Sequence, residues 1–207
     1  FVNHLTTKIM KTLMLVSFFN ATKILFLSTI LIMSACAPKD ATSQSSAATT
    51  SQAGVKPPDV DIHTAVVSGN LKALQQHIAA GSNINERDPF GGSSPLISAA
   101  VFDKPEMAKV LLDAGADINF QNNDGSTALH TAAFFCRPEI VKMLIDKGAD
   151  KTIKNKYGAT PYGNVAGPYT EVKDAYEMME KVLGPMGLKL DYAYIQKTRP
   201  EIALMLK

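Results

Sequence analysis

The sequence predicts an all-α solenoid in which short helical hairpins stack side by side. A motif of about 33 residues recurs along residues 59–165, and each copy has two short segments with helical apolar spacing. Each copy also closes on a glycine-containing turn. A single hairpin cannot bury its own apolar stripe, so such copies are stable only when neighbours cover one another.

The composition fits a folded domain and excludes several other classes of protein. The 207 residues contain 21 Lys+Arg and 19 Asp+Glu, and 46% of them are hydrophobic. This balance excludes a nucleic-acid-binding arm, an acidic tail and a fully disordered chain. Two cysteines are too few for a disulfide framework or, by themselves, for a tetrahedral zinc site.

Residues 1–36 have the features of a targeting leader. Residues 24–35 carry no charge, follow Lys23 and end in small residues. A membrane-spanning helix needs about 20 apolar residues, so this shorter stretch is closer to the core of a signal peptide. Because the sequence opens on Phe1, Met10 and Met14 are candidate start residues.

The run Met33-Ser34-Ala35-Cys36 resembles the lipobox of bacterial lipoproteins. The resemblance implies lipid attachment at Cys36, cleavage just before it and, with Ala37 next, an outer-membrane anchor facing the periplasm. An uncleaved N-terminal anchor and a chance motif are the alternatives. Residues 37–58 follow as a predicted disordered tether, because residues 41–53 are all Ala, Ser, Thr or Gln.

The repeat is visible as matched blocks of sequence. Residues 92–100 reappear as residues 125–133, and residues 113–117 reappear as residues 146–150, each at an offset of 33. These blocks resemble the ankyrin repeat. The resemblance implies an ankyrin-repeat solenoid of about four to five helix-turn-helix units with β-turn fingers between them.

The residue types suit each segment of the copy. Hydroxyl side chains precede the first, inner helix, where they cap free N–H groups, and proline follows them in two copies. The hydroxyl residues are Ser94, Thr127 and Thr160, and the prolines are Pro95 and Pro161. Paired alanines at 99–100 and 132–133 predict inner helices that approach closely. The second, outer helices carry one apolar stripe and end at Gly81, Gly115 and Gly148.

The ends of the array depart from the pattern. In the first unit His77 stands where later units have leucine, which suggests a capping unit with an exposed outer face. After Pro161 the pattern weakens, and Glu171 to Leu183 reads as an amphipathic helix. Residues 59–187 are therefore interpreted as ankyrin repeats. Residues 188–207, where 199–202 echo 137–140 at an offset of 62, are interpreted as a degenerate fifth unit that caps the stack.

No catalytic constellation, metal site or cofactor motif emerges from the sequence, and the chain is predicted not to be an enzyme. The ankyrin resemblance implies that His63 and His130 tie neighbouring loops together by hydrogen bonds. Cys136 stands at the turn between two helices, where a packed thiol is the simpler interpretation and a redox thiol the alternative. Lys147, Lys151, Lys154 and Lys156 form a basic run, either a solvated edge or a contact for acidic groups.

The ankyrin resemblance implies a protein-binding surface made of finger tips and the exposed ends of inner helices. The matching positions are Phe90, Ser93, Val101, Phe102, Asn123, Asp124, Ser126, Phe134, Phe135, Lys156 and Tyr157. Five of the eleven are aromatic in a chain that is 7% aromatic, and aromatic residues are frequent binding anchors. The alternative is that Phe102, Phe134 and Phe135 fill gaps between helices.

The sequence thus predicts a non-catalytic ankyrin scaffold that is anchored to the bacterial envelope by lipid and binds another protein. No nucleic-acid or small-molecule partner is expected. A dedicated immunity or chaperone protein is one alternative, a thiol-based redox regulator that uses Cys136 is another, and a cytosolic adaptor is a third if the leader is spurious.

Overall fold

The computed structural model describes residues 55–207, which are helical and contain no strand. The predicted leader, the lipobox Cys36 and most of the tether lie outside the described residues. None of the helices in 55–207 has the length and apolar character to span a bilayer.

Three complete helical hairpins are followed by an irregular fourth unit. The hairpins are α1 (Ile62–Ser68) with α2 (Leu71–Ala79), α3 (Pro95–Val101) with α4 (Pro105–Asp113), and α5 (Ala128–Phe134) with α6 (Pro138–Asp146). The fourth unit holds α7 (Gly163–Ala166), α8 (Tyr169–Leu183), a 3-10 turn (Gly184–Met186) and α9 (Tyr192–Leu206).

The helices form two layers. The inner layer runs α1, α3, α5 and α7, each packed on the next, and the outer layer runs α2, α4, α6 and α9. The alanine pairs of α3 and α5 are fully buried between inner helices, since each alanine is 0% exposed. The predicted all-α solenoid is therefore confirmed, with small side chains at the close helix contacts.

The predicted caps are in place at the inner helices. The hydroxyl oxygen of Ser94 accepts the N–H of Ile97, and that of Thr127 accepts the N–H of His130. Pro95 occupies the first turn of α3, where its missing N–H removes no hydrogen bond. Gly81, Gly115 and Gly148, which follow the outer helices, all have positive φ, as a left-handed C-terminal cap requires.

The expectation that the outer face of the first unit is exposed at His77 is wrong. Its side chain is only 7% exposed, and its two ring nitrogens lie 2.8 Å from the Val60 carbonyl and 3.1 Å from the Ser82 hydroxyl. The imidazole takes the core position of a leucine because two oxygen partners satisfy its nitrogens.

The C-terminal helix belongs to the fourth unit and does not form the fifth unit that the sequence predicts. Helix α9 packs against α6, α5 and α7, so it is the outer helix of the fourth unit. The echo of residues 137–140 in 199–202 marks this equivalence, because Ile140 and Ile202 are both 0% exposed. Residues 167–198, which include α8 and the start of α9, form an insertion between the inner helix α7 and the outer-helix segment that begins at residue 199. The offset of the echo is therefore 62 rather than 33.

A tyrosine of the insertion forms a hydrogen bond with a buried arginine. In the third unit Arg137 pairs with Asp103 of the preceding unit, with Nη1 and Oδ2 3.3 Å apart. The equivalent Arg199 instead donates to the hydroxyl of Tyr176 at 2.9 Å, and that hydroxyl donates to the Phe134 carbonyl. Tyr176 on α8 therefore links the fourth unit back to the third.

Candidate protein-binding surface

The three loops that join successive units, here called fingers, share one local design. The first finger is residues 82–94, the second 116–127 and the third 149–160. Each contains an Asp or Asn whose side-chain oxygen accepts backbone N–H groups at the tip. These residues are Asp88, Asn122 and Asn155.

The first finger is one residue longer than the other two. Asp88 accepts N–H groups from Phe90, Gly91 and Ser93, whereas Asn122 closes its turn on Ser126, one residue sooner. Burial raises the pKa of Asp88, but these N–H donors outweigh it and the net pKa is lowered. The extra residue places the Phe90 ring in solvent, 86% exposed, on a turn held by three hydrogen bonds.

Neighbouring fingers are bonded to one another through their backbones. The Asn123 N–H donates to the Gly91 carbonyl at 2.9 Å, and the Lys156 N–H donates to the Asp124 carbonyl at 2.8 Å. The Tyr157 hydroxyl also donates to the Asp124 carboxylate at 3.2 Å. Burial, together with that carboxylate, raises the pKa of Tyr157 to about 12. The three tips consequently form one continuous row.

The predicted hydrogen bonds from two histidines of the inner helices hold this row of fingers in place. Nε2 of His63 lies 3.1 Å from the Glu86 carbonyl in the first finger, and Nε2 of His130 lies 3.0 Å from the Ala159 carbonyl in the third. Burial lowers the pKa of His130, which favours the neutral ring. Both histidines thus have structural hydrogen-bonding roles.

The predicted contact residues divide into three groups by exposure. Phe90, Asn123 and Lys156 are exposed at the three tips. A second group is partly exposed and comprises Ser93, Val101, Phe102, Asp124, Ser126, Phe134 and Tyr157. Phe135 is buried at 5% exposure.

Phe135 is therefore corrected from a contact residue to a core residue, and Phe134 belongs with it. The Phe134 ring stacks on the ring of Tyr176 with centroids 4.5 Å apart, and Phe135 meets both rings edge-on. Helix α8 of the insertion covers this end of α5. Packing, rather than recognition, explains the aromatic pair at 134–135.

Cys136 has the environment of a packed thiol. It is 0% exposed, and its Sγ lies 3.7 Å from the Ile195 carbonyl. Burial raises the pKa of the thiol to about 11, although Arg199 and Arg137 act in the opposite direction. A protonated, inaccessible thiol is a poor nucleophile, so this geometry argues against the redox alternative.

One further concavity was not predicted from the sequence. A groove of about 690 Å³ in the fourth unit lies between α7, the start of α8 and α9. Tyr162 and Leu204 line it and are 36% and 68% exposed, and the buried Arg199 contributes to its floor. The echo of residues 137–140 in 199–202 was the signal that could have placed α9 beside α7. Within residues 55–207 no cluster of His, Cys, Asp and Glu has the arrangement of a metal site.

Residues 62–155 match the protein-family model for ankyrin repeats, in three copies. The described fold is accordingly an all-α ankyrin-repeat solenoid. Ankyrin repeats imply a protein-interaction scaffold.

Several known proteins resemble the repeat region. Human protein phosphatase 1 regulatory subunit 27 is 38% identical over 64 residues, which is 31% of this chain and 41% of that protein. An ankyrin repeat protein of Rickettsia bellii (strain RML369-C) is 41% identical over 79 residues, covering 33% of this chain and 11% of that protein. The crystal structure of the ankyrin repeat domain of Bcl-3 aligns with a TM-score of 0.50 and 32% identity, covering 56% of this chain and 50% of that one. The chain thus spans less than half the length of the first two relatives and half of the Bcl-3 chain.

Proposed function

We propose that this protein is a non-catalytic ankyrin scaffold that binds another protein through its row of fingers. The observation that carries the proposal is Phe90, whose ring is 86% exposed on a finger fixed by Asp88. An ordered aromatic side chain left in solvent costs little entropy to bind and gains apolar burial against a partner. The second and third fingers offer exposed polar groups at Asn123 and Lys156 that orient such a contact.

The proposed contact set is narrower than the eleven residues that the ankyrin resemblance implies. It keeps the finger residues and omits Phe134 and Phe135, which helix α8 covers. The set is Phe90, Ser93, Asn123, Asp124, Ser126, Lys156 and Tyr157, with Val101 and Phe102 at its inner border.

The proposal includes a lipid anchor at Cys36 in the bacterial envelope, with the repeats facing the periplasm from the outer membrane. The lipobox-like run at 33–36 supports it, and so does the polar tether at 37–58. A flexible chain of that length spans roughly 26 Å, enough to hold a folded domain away from the membrane surface. Loss of labelled palmitate incorporation in Cys36→Ala would support the anchor, and retained labelling would rule it out.

The binding function is tested by capture from cells that express the full chain. Cross-linking followed by affinity purification should recover a partner with the wild type and lose most of it with Phe90→Ala. Tyr194→Ala is the matched control, because Tyr194 is also an exposed aromatic, 42% exposed, but lies on α9 away from the fingers. Equal recovery with Phe90→Ala and the wild type would contradict binding through the finger row.

A further inference from the structure

Charge is distributed unevenly along the three fingers. The second finger contains Asp117 and Asp124 and has no lysine or arginine. The third finger contains Lys151, Lys154 and Lys156 against the single carboxylate of Asp150. Positive charge is therefore concentrated at one end of the row, and the exposed Phe90 ring stands at the other end.

The three lysines of the third finger are not neutralised within the described chain. Lys147, just outside this finger, pairs with Asp113 at 2.6 Å, but Lys151, Lys154 and Lys156 form no ion pair with any residue of 55–207. Lys154 and Lys156 are both exposed.

The carboxylate of the third finger and that at the tip of the second finger accept other donors. Asp150 accepts the backbone N–H and the hydroxyl of Thr152, at 2.7 and 2.6 Å. Asp124 accepts the hydroxyl of Tyr157. The ammonium groups are thus available to carboxylates of a partner.

The separation between the two ends of the row can be bounded from the architecture. Phe90 adjoins Gly91, whose carbonyl accepts the Asn123 N–H, and Asn123 adjoins Asp124, whose carbonyl accepts the Lys156 N–H. With about 3.8 Å between consecutive Cα atoms and about 5.5 Å between the Cα atoms of hydrogen-bonded residues, the path from Phe90 to Lys156 is at most about 20 Å. An extended peptide covers that distance in about six residues, at roughly 3.3 Å per residue.

We infer that the finger row binds an extended acidic segment of the partner protein, and this inference rests on the proposed function. An apolar side chain of the segment packs on Phe90, and two or more carboxylates about six residues away contact Lys154 and Lys156. The exposed amide of Asn123 lies between these ends and can bond the peptide backbone. A continuous polyanion such as a nucleic acid fits poorly, because the second finger, in the middle of the row, carries the carboxylates of Asp117 and Asp124.

The test uses fluorescein-labelled peptides and the purified full-length chain at about 50 mM salt, where exposed charge pairs are weakly screened. The probe carries one leucine and a Glu-Glu-Asp cluster six residues away on a Ser/Gly backbone. Two comparison peptides have the cluster replaced by Gln-Gln-Asn, or moved to two residues from the leucine. Binding by fluorescence anisotropy should be at least about fivefold tighter for the probe than for either comparison.

Lys154→Gln/Lys156→Gln should weaken binding of the probe by about fivefold or more and reduce its salt dependence. Lys189→Gln/Lys197→Gln removes the same charge from exposed positions outside the fingers and should leave binding within about twofold. No measurable binding of the probe would overturn the inference. Equal binding of the acidic and amide peptides, or of both lysine double variants, would do so too.

Capture from cells separates the two proposals. If the lysine double variant of the third finger recovers the partner as the wild type does while Phe90→Ala loses it, the finger row is a binding surface but the acidic segment is wrong. If Phe90→Ala also recovers the partner fully, the proposed function itself fails.

Discussion

At the scale of single residues, the histidines show how one side chain can be both buried and polar. His130 is 0% exposed, with one nitrogen near the Ala159 carbonyl and the other accepting the Thr127 N–H at 3.2 Å. In the neutral ring that donates from Nε2 to Ala159, Nδ1 accepts the Thr127 N–H, and the Thr127 hydroxyl lies 2.9 Å from the same nitrogen. Protonation would place a second N–H opposite the Thr127 N–H and add a charge in a poorly solvated place.

This arrangement predicts a pH dependence of stability. The pKa of His130 is lowered below its ordinary 6.5 in the folded chain, so just below pH 6.5 the unfolded chain binds a proton that the folded chain does not. The free energy of unfolding should consequently fall as pH drops from 7.5 to 5. Urea denaturation at both pH values measures it, and His130→Asn should show a smaller fall. An identical fall in both proteins would assign the effect to other groups.

The lower limit of pH 5 in this experiment avoids the titration of Asp88. Its pKa is lowered from 3.8 in the folded chain, so the stability it contributes is present above that value and is lost as pH falls through the folded pKa. The window between pH 7.5 and 5 thus reports on histidine and leaves this carboxylate ionised.

Cys136 gives a second prediction at this scale. In a Cys36→Ala background it is the remaining thiol, and its raised pKa of about 11 and 0% exposure should make alkylation by iodoacetamide at pH 8 very slow. The rate should rise at least about a hundredfold in 6 M urea, where a free thiol has its ordinary pKa. Rapid alkylation of the folded chain, monitored by mass spectrometry, would restore the redox alternative.

At the scale of elements, the fingers depend on close backbone contact as well as on turn conformation. Gly125 and Gly115 both have positive φ, 73° and 85°. A Cβ at Gly125 would lie 3.2 Å from the Lys156 nitrogen in the next finger, whereas a Cβ at Gly115 meets nothing within 4 Å. The two positions share backbone strain but differ in contact between fingers.

Alanine substitutions at these glycines separate the two effects. Gly115→Ala should destabilise by about 1 kcal/mol, the cost of a side chain in the left-handed region. Gly125→Ala should lose more, roughly 2 kcal/mol, because it also pushes the third finger away. It should weaken probe binding in addition, since Lys156 moves. Equal losses of unfolding free energy by urea titration would show that the fingers are not in tight contact.

The elements that the sequence could predict are those with local signals. Caps such as Thr127, the alanine pairs and the turn glycines act within a few residues, and their 33-residue recurrence made the hairpins predictable. The covering of Phe134 and Phe135 was not predictable in this way, because Tyr176 lies 42 residues along the chain from Phe134. The insertion likewise separates α9 from α7 along the chain, and the echo of residues 137–140 in 199–202 is a local sign that they pair.

At the scale of the whole described unit, the fourth repeat is the exception to nearest-neighbour stacking. In a regular solenoid each unit is stabilised by the interface with its neighbour, and an end unit with a four-residue inner helix such as α7 would have little interface. The insertion compensates by placing α8 across the turn at 134–136. Tyr176, buried and hydrogen-bonded to both Arg199 and Phe134, is the central residue of that connection.

Removing this hydroxyl alone tests whether the insertion holds the last unit to the stack. Tyr176→Phe keeps the ring stacked on Phe134 but leaves the Arg199 Nη1 without its partner and the Phe134 carbonyl with only the Cys136 thiol at 3.9 Å, so we expect a loss of about 1–3 kcal/mol in unfolding free energy. Tyr194→Phe removes a hydroxyl from an exposed ring and should change little. Hydrogen exchange should accelerate in α7 and α9 and leave α1 to α4 unchanged, because each unit depends mainly on its neighbours. Uniform acceleration across the four units would instead show that the described chain unfolds as a single cooperative block, with the insertion a full part of its core.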